Sequence, residues 1–337
     1  MTRPLVSVLM GDPRLPDESK PGGRYTPDDF EQIDRLKSAL EEIADYRFDY
    51  LDDHSRLLDD LRTRRPAFAL NFCDTGFRNQ ASLELHVASY LEMLGIPYSG
   101  TGPVALGLCY DKALVCAVAH SLGIAVPRER FLRPDEPLSD LEYPAFIKPN
   151  RGDGSVGITA ESIVHDAREA AACLERLHAL LPNESLVAQE LLDGDEYGVG
   201  IVGNPADGFT LLPVLEVDYS ALDPSLPRLL DYSSKTDPSS PYWTDIRFRE
   251  ARIDESMKAR MGEWCQLLFQ RLGLRDYARF DFRADANGAI KLMEVNPNPA
   301  WCWDGKLAHM AGLMGERHSG LLRLIIEAAR RRCFGKS

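Results

Sequence analysis

Apolar residues recur along the chain in two alternating rhythms. Leu5 to Met10 forms a short apolar run, read as a buried strand. Thr26-Pro27 opens a helix, because proline suits the first helical position, and Ile33, Leu36, Leu40 and Ile43 follow at helical spacing. Strands are predicted near 47–51 and 67–72, then an amphipathic helix from about 81 to 94, closed by Gly95. This alternation over residues 1–102 predicts a small α/β domain, and "SGTGP" at 99–103 marks its boundary. Beyond it the pattern predicts helices over 110–123 and 165–181 and strands over 143–149 and 184–192. A stretch from about 217 to 252, rich in Pro, Ser and Asp, keeps neither rhythm and reads as a lid. A helix over 254–273, strands over 277–283 and 289–296 and a final helix to about 332 complete an α/β (α+β) chain.

Composition narrows the class. At 337 residues the chain calls for two or three domains, and 44% apolar with 27% charged residues is ordinary for a folded soluble protein. A net charge of −13 argues against a general partner among nucleic acids or anionic membranes. Seven cysteines are an odd number with no CxxC pair, which points to reduced thiols and a cytoplasmic setting. The first residues hold one strand and no secretion-type leader, and no apolar run approaches membrane-spanning length.

The strands at 277–283 and 289–296 flank Asn287-Gly288, a strong two-residue hairpin signal. Such a turn puts Ala286 opposite Ala289 and, counted back, Asp281 opposite Glu294 and Arg279 opposite Asn296. All four then share one face, while Phe280, Phe282, Met293 and Val295 face a core. Two carboxylates set directly opposite each other repel unless a cation lies between them. Oxygen-only donors suit a hard ion such as Mg²⁺. The plainer alternative is a solvent-exposed face where Arg279 neutralises Asp281.

Two further segments suit a nucleotide. "AFIKPNRGDGSVGI" ends a strand at Lys148 and turns through Gly152, Gly154 and Gly157. It fails as a dinucleotide fingerprint, because no helix opens at the loop. As a loop offering backbone N–H groups and the Ser155 hydroxyl to phosphate, beside the Lys148 charge, it is sensible; alone it is equally a glycine-rich hairpin. In "AQELLDGDEYGVGIV" the backbone at 190–192 is suited to an adenine edge and Glu196 to ribose hydroxyls, against the alternative of a solvated turn.

In this order the segments resemble the ATP-grasp superfamily, most closely the D-alanine–D-alanine ligase-like carboxylate–amine ligases. The pieces that carry the resemblance are "LEMLGIPYSGTGP", "FIKPNRGDGSVGI", "QELLDGDEYGVGIV", "LDYSSKTD" and "ARFDF…KLMEVNPNP". The resemblance implies an N-terminal α/β domain (1–102) and two ATP-grasp subdomains (103–188 and 189–337) sandwiching ATP. It implies Lys112, Lys148 and Lys235 at the phosphates, with Gly154 and Ser155 on the loop over them. Gln189, Glu190 and Leu192 would line the adenine and Glu196 hold the ribose. Asp281, Glu294 and Asn296 would bind two Mg²⁺ ions, with Mn²⁺ as the alternative, and Arg279 would face the reacting carboxylate. The implied activity forms an amide bond through an acyl phosphate between small-molecule carboxylate and amine substrates, in a homodimer.

The chain departs from that family at substrate-facing positions. Its N-terminal His-Gly-x-x-Gly-Glu segment is not visible, Thr236 stands where a tyrosine is expected, and Gly305 where a substrate-binding serine is expected. Wall synthesis of D-alanyl-D-alanine is therefore the alternative reading, beside a catalytically reduced nucleotide-binding protein and a kinase that does not ligate. Trp301 and Trp303 are candidates for lining a larger pocket, or else core residues. Asp304, Gly305 and Lys306 complete that stretch, with Lys306 suited to a substrate carboxylate. Asp12, Asp74 and Glu84 are candidates for a substrate ammonium, or else capping and surface acids.

Overall fold

Three sheets follow one another along the chain, in a computed structural model that describes residues 3–134, 136, 141–152, 155–237 and 239–335 (without the side chains of 235 and 236). The first is parallel: β1 (Leu5–Met10) runs between β2 (Arg47–Leu51) and β3 (Ala69–Phe72). Both of its faces are covered, which is why β1 and β3 are mostly apolar and why even their polar residues, Ser7 and Asn71, are buried. On one face Val6, Val8 and Met10 meet Ile33, Leu36 and Leu40 of α1 (Pro27–Glu41), started by a Thr26–Asp29 capping box. On the other, Leu9 meets α2 (Leu57–Arg64) and α3 (Glu84–Leu94).

Helices α4 (Pro103–Cys109) and α5 (Lys112–Ser121) lead to the second sheet. It comprises β4 (Glu129–Leu132), β5 (Ala145–Pro149) and β6 (Ile163–Val164), and, after α6 (Ala167–Leu180), β7 (Leu186–Glu190). Its order is β4-β7-β5-β6, and α6 covers one face through Ala170, Cys173 and Leu177.

The third sheet is six-stranded and antiparallel. It begins with β8 (Glu196–Asn204), β9 (Gly208–Leu211) and β10 (Leu215–Asp218). After the short helices α7 (Ser233–Thr236) and α8 (Pro241–Thr244) comes β11 (Arg247–Glu250). Then α9 (Glu255–Leu272) precedes β12 (Tyr277–Ala284) and β13 (Ile290–Asn296). The order is β11-β10-β8-β12-β13, with β9 on β8. One face packs Phe280, Phe282, Leu292 and Val295 against Cys265, Leu268 and Phe269 of α9. The opposite face carries the polar residues of the candidate site, beside α10 (Lys306–Leu313) and ahead of α11 (His318–Phe334).

Several expectations need correction. The 217–252 stretch is not wholly irregular: β11 pairs with β10, and Tyr219, Leu222, Tyr242 and Ile246 bury a small core of their own. The final helix is two, broken where Gly315 takes φ +86°. The helix expected from about 81 starts at Glu84, after single 3₁₀ turns at Phe77–Asn79 and Ala81–Leu83. The rhythm missed α2, α4, β4 and β9, each too short to repeat a period often, and also β8, whose nine residues include Gly198, Gly200 and Gly203.

A buried ion pair ties the three ends of this architecture together. Asp276, fully buried at φ +66°, accepts from Gly100 N (2.8 Å), Asn204 Nδ2 (2.9 Å) and both Nε and Nη2 of Arg332 (2.8 Å). All seven cysteines are free, and five are buried. Among the described residues no single helix is long and apolar enough to cross a membrane.

Candidate active site

The β12–β13 hairpin sets the site, and its register departs from expectation twice. Asp285 N bonds Ala289 O (3.0 Å) and Gly288 N bonds Asp285 O (2.9 Å), with Gly288 at φ +82°. That is a three-residue turn closed by a left-handed glycine, not the two-residue turn expected from Asn-Gly. The pairs near the turn, Ala284–Ile290 to Phe282–Leu292, are accordingly shifted by one. A bulge between Asp281 and Phe282 then leaves Met293 as the extra residue and restores the count. Asp281 lies opposite Glu294 and Arg279 opposite Asn296, as expected, whereas buried Leu292 takes the core place expected of half-exposed Met293.

The face so formed is largely closed to solvent: Asp281 keeps only 4% of its surface and the Arg279 side chain 16%, while the Glu294 side chain keeps 33%. Arg279 donates from Nε to Asp281 Oδ1 (2.9 Å) and from Nη2 to Oδ2 (3.0 Å). Asn296 Nδ2 lies 3.2 Å from Asp281 Oδ2 and 3.4 Å from Glu294 Oε1. Turning that amide over would present oxygen beside the two carboxylates, so the donor set is all oxygen and already converged, which fits a hard divalent ion. The second sheet and α5 bring cations to the same place. Lys112, capped into α5 by Asp111, sits 4.0 Å from Glu294 Oε2 and donates to Gly152 O (2.6 Å). Lys148, at the end of β5, is buried. Burial, and then the Lys112 charge, hold its ammonium below the ordinary lysine value against the pull of Glu294. Burial would push Glu294 up, but Lys112, Lys148 and Arg279 outweigh it and the Asp281 charge, so its carboxyl stays below the usual range.

Glu196 opens β8 on this same face, diagonal to Asp281, because Gly198 is the residue paired with Asp281. Its Oε2 accepts from the Tyr219 hydroxyl (2.8 Å) and its Oε1 from Lys306 Nζ (3.1 Å). Lys306, the first residue of α10 after the N-cap Gly305, also lies 3.7 Å from Asp281 Oδ2. Arg283 flanks Glu196 at 3.9 Å. Neither Tyr219 nor Arg283 stood out in the sequence; strand alternation from Asp281 to Arg283 is the signal that would have found the second.

Gln189 and Glu190 end β7, and Leu192 lies in the segment that joins the second and third sheets. Gln189 donates to Glu129 Oε2 (2.6 Å), Glu190 accepts from Arg128 Nε (3.0 Å) and pairs with Lys291, and Leu192 is buried. Of the glycine loop, Ser155 takes φ +62° and donates to Leu230 O (3.1 Å), so the loop leans on the 217–252 segment. Gly154 and the Lys235 side chain lie outside the described residues.

The substrate candidates are scattered. Asp12 is buried and spends Oδ1 on Arg14 (2.7 Å) and Oδ2 on His54 N (2.9 Å), which makes it a loop cap. Glu84 starts α3 and accepts from Asn298 Nδ2 (2.7 Å). Asp74 sits near Lys20 and Trp301, and burial pushes its carboxyl up to about 6 against the pull of Lys20. Trp301 is partly buried: its indole N–H donates to Phe72 O (3.0 Å) and its ring stacks on Phe72. Trp303 is 41% exposed with the Arg35 guanidinium 4.2 Å over its ring, and Asp304 accepts from Gln32 (2.8 Å). This stretch docks the site on the N-terminal sheet and α1.

Comparison with known proteins agrees with that geometry. The family described as "D-ala D-ala ligase C-terminus" matches residues 128–327, more than half of the chain. A D-alanine–D-alanine ligase of Bacillus anthracis is 30% identical over 251 residues, covering 73% of this chain and 75% of its own. The uncharacterized protein y4sG of Sinorhizobium fredii is 27% identical over 252 residues, covering 74% and 71%. Among solved structures, the Bacillus anthracis D-alanine–D-alanine ligase complexed with ATP superposes with TM-score 0.72 at 22% identity, over 98% of both chains. The VanG D-Ala:D-Ser ligase of Enterococcus faecalis gives 0.68 at 17%, over 97% of this chain and 100% of its own. The chain belongs to the D-alanine–D-alanine ligase family, and is thus an ATP-grasp ligase of the kind that forms carbon–nitrogen bonds and releases ADP.

Proposed function

We propose that this ligase activates a substrate carboxylate as an acyl phosphate and joins it to the amine of a second, amino-acid-like molecule. The observation that carries the reading is the converged face of Asp281, Glu294, Asn296 and Arg279, met by Lys112 and Lys148 from the neighbouring sheet and helix. In this reading Lys112, Lys148 and Lys235 hold the phosphates, Gln189 to Leu192 line the adenine and Glu196 holds the ribose. Asp281, Glu294 and Asn296 hold Mg²⁺, which when bound offsets the charge on the transferring phosphoryl group. The Arg279 guanidinium, oriented by Asp281, faces the reacting carboxylate and stabilises the oxyanion formed when the amine attacks. The loop carrying Gly154 and Ser155 keeps water from the acyl phosphate. No protein nucleophile is required, which agrees with cysteines that are mostly buried. The same reading divides the chain at residues 102 and 188, and makes it a cytoplasmic enzyme, as a homodimer, with small-molecule substrates.

The product is proposed to differ from wall D-alanyl-D-alanine, because Gly305 replaces the serine expected of that enzyme and the Trp301–Lys306 stretch is tied to other partners. D-alanine as both substrates is the second reading, favoured by relatives that bear that name. Phosphate release from ATP across a panel of carboxylates and amines, with mass detection of products, tests both. Release that needs both substrates and yields an amide supports the ligation; a phosphorylated acid as end product, or binding without turnover, sinks it.

A further inference from the structure

The Lys306 ammonium stands between two carboxylates on different strands, 3.1 Å from Glu196 Oε1 and 3.7 Å from Asp281 Oδ2. Both acids are buried, with 6% of each side chain exposed, and Lys306 is nearly so at 13%. Burying this charge is costly unless the site needs a cation there. Asp281 already has a counter-charge in Arg279, and Glu196 has the Tyr219 hydroxyl and Arg283 nearby, so neutrality of the two acids does not by itself require a lysine.

The diagonal from Glu196 to Asp281 has a direction in the proposed function, on which this step rests: it runs from the ribose to the metal. A nucleotide's phosphate chain must span that diagonal, because it links the ribose to the metal-bound phosphoryl group. We propose that Lys306 is a phosphate-binding residue contributed by α10, facing the chain between ribose and metal, and not the anchor of a substrate carboxylate. When ribose hydroxyls donate to Glu196 and a metal claims Asp281, the ammonium exchanges two carboxylates for phosphate oxygens without leaving its place. Its backbone supports this: Leu307 and Met310 pack α10 against Gly200 and Gly198 of β8, where a Cβ would come within 2.7–2.8 Å of them. The two glycines let α10 approach β8 closely enough for its first residue to reach across Glu196.

Calorimetric titration of the whole protein with Mg-ADP and with adenosine tests this. Lys306→Met is expected to weaken Mg-ADP by roughly 10- to 100-fold, as for loss of a charged hydrogen bond, and adenosine by less than about threefold. Lys306→Arg is expected to keep most of the Mg-ADP affinity, which guards against a merely misfolded methionine variant. Lys148→Met serves as the control for the proposed phosphate site. If Lys148→Met weakens Mg-ADP and Lys306→Met does not, Lys306 is no phosphate ligand and the nucleotide site stands. If neither weakens it, the site reading fails together with the inference. Equal losses for adenosine and Mg-ADP would show Lys306 acting through Glu196 on the ribose, and would overturn the proposal as well.

Discussion

Asp281 and Glu294 face each other across the β12–β13 ladder, two acids at paired positions with Arg279 on one and Lys112 4.0 Å from the other. Such an opposition persists because cations from four separate elements, Arg279 of β12, Lys112 of α5, Lys148 of β5 and Lys306 of α10, converge on it. Asp281→Asn keeps the shape and removes one of the charges proposed to hold the metal. Turnover is expected to fall by roughly 100-fold or more while the near-ultraviolet circular dichroism stays native. Wild-type turnover in that variant would remove Asp281 from the active site.

How much of this was legible in the sequence depends on the kind of signal. Counting from Asn287-Gly288 reaches the right pairing of Asp281 with Glu294 because two local irregularities, one at the turn and one at Met293, cancel; either alone would move Glu294 off the face. Strands ending in charged residues and the lysine before the glycine loop were readable because their chemistry is concentrated in a few neighbouring positions. Lys306 was readable as a cation but not as a partner of Glu196, since that contact joins residues 110 positions apart and depends on how α10 lies on β8. The contacts of Trp301 with Phe72 and of Trp303 with Arg35 were illegible for the same reason, since each joins residues more than 200 positions apart.

Asp74 gives a pH signature. Its carboxyl is pushed up to about 6 by burial, whereas an unfolded aspartate titrates near 3.9. Between these values the folded protein binds more protons at this site than the unfolded chain does. Its contribution to stability therefore falls as pH rises through that window and is unfavourable above it. Asp74→Asn is expected to stabilise the protein at pH 7.5, by on the order of 1–3 kcal/mol, and to leave it nearly unchanged at pH 4. Urea midpoints at the two pH values decide; equal shifts at both would mean that charge at Asp74 is not the cause.

The Asp276–Arg332 pair lies at the far end of β12 from the acids and holds Gly100, Asn204 and the last helix together. Asp276→Ala strands the Arg332 charge and leaves the Gly100 N–H without its acceptor. A loss of about 3–5 kcal/mol is expected in urea unfolding, with Mg-ADP affinity of the folded protein unchanged. A loss below about 1 kcal/mol would show that the pair is dispensable.

Trp301 and Trp303 separate the two readings of the stretch beyond Asn296. Trp301 packs on Phe72 and spends its N–H on a strand carbonyl, so Trp301→Ala both opens a cavity and orphans an acceptor. It is expected to cost roughly 2–4 kcal/mol. Trp303 is 41% exposed and its main partner is the Arg35 guanidinium, an exposed cation–π contact. Trp303→Ala is expected to cost less than about 1 kcal/mol and to leave KM for both the carboxylate and the amine within about twofold. Were Trp303 a wall of the substrate pocket, KM for one of the two would rise well beyond that while stability stayed constant. Steady-state kinetics on the identified substrates, beside thermal unfolding of both variants, therefore tells an anchor from a pocket.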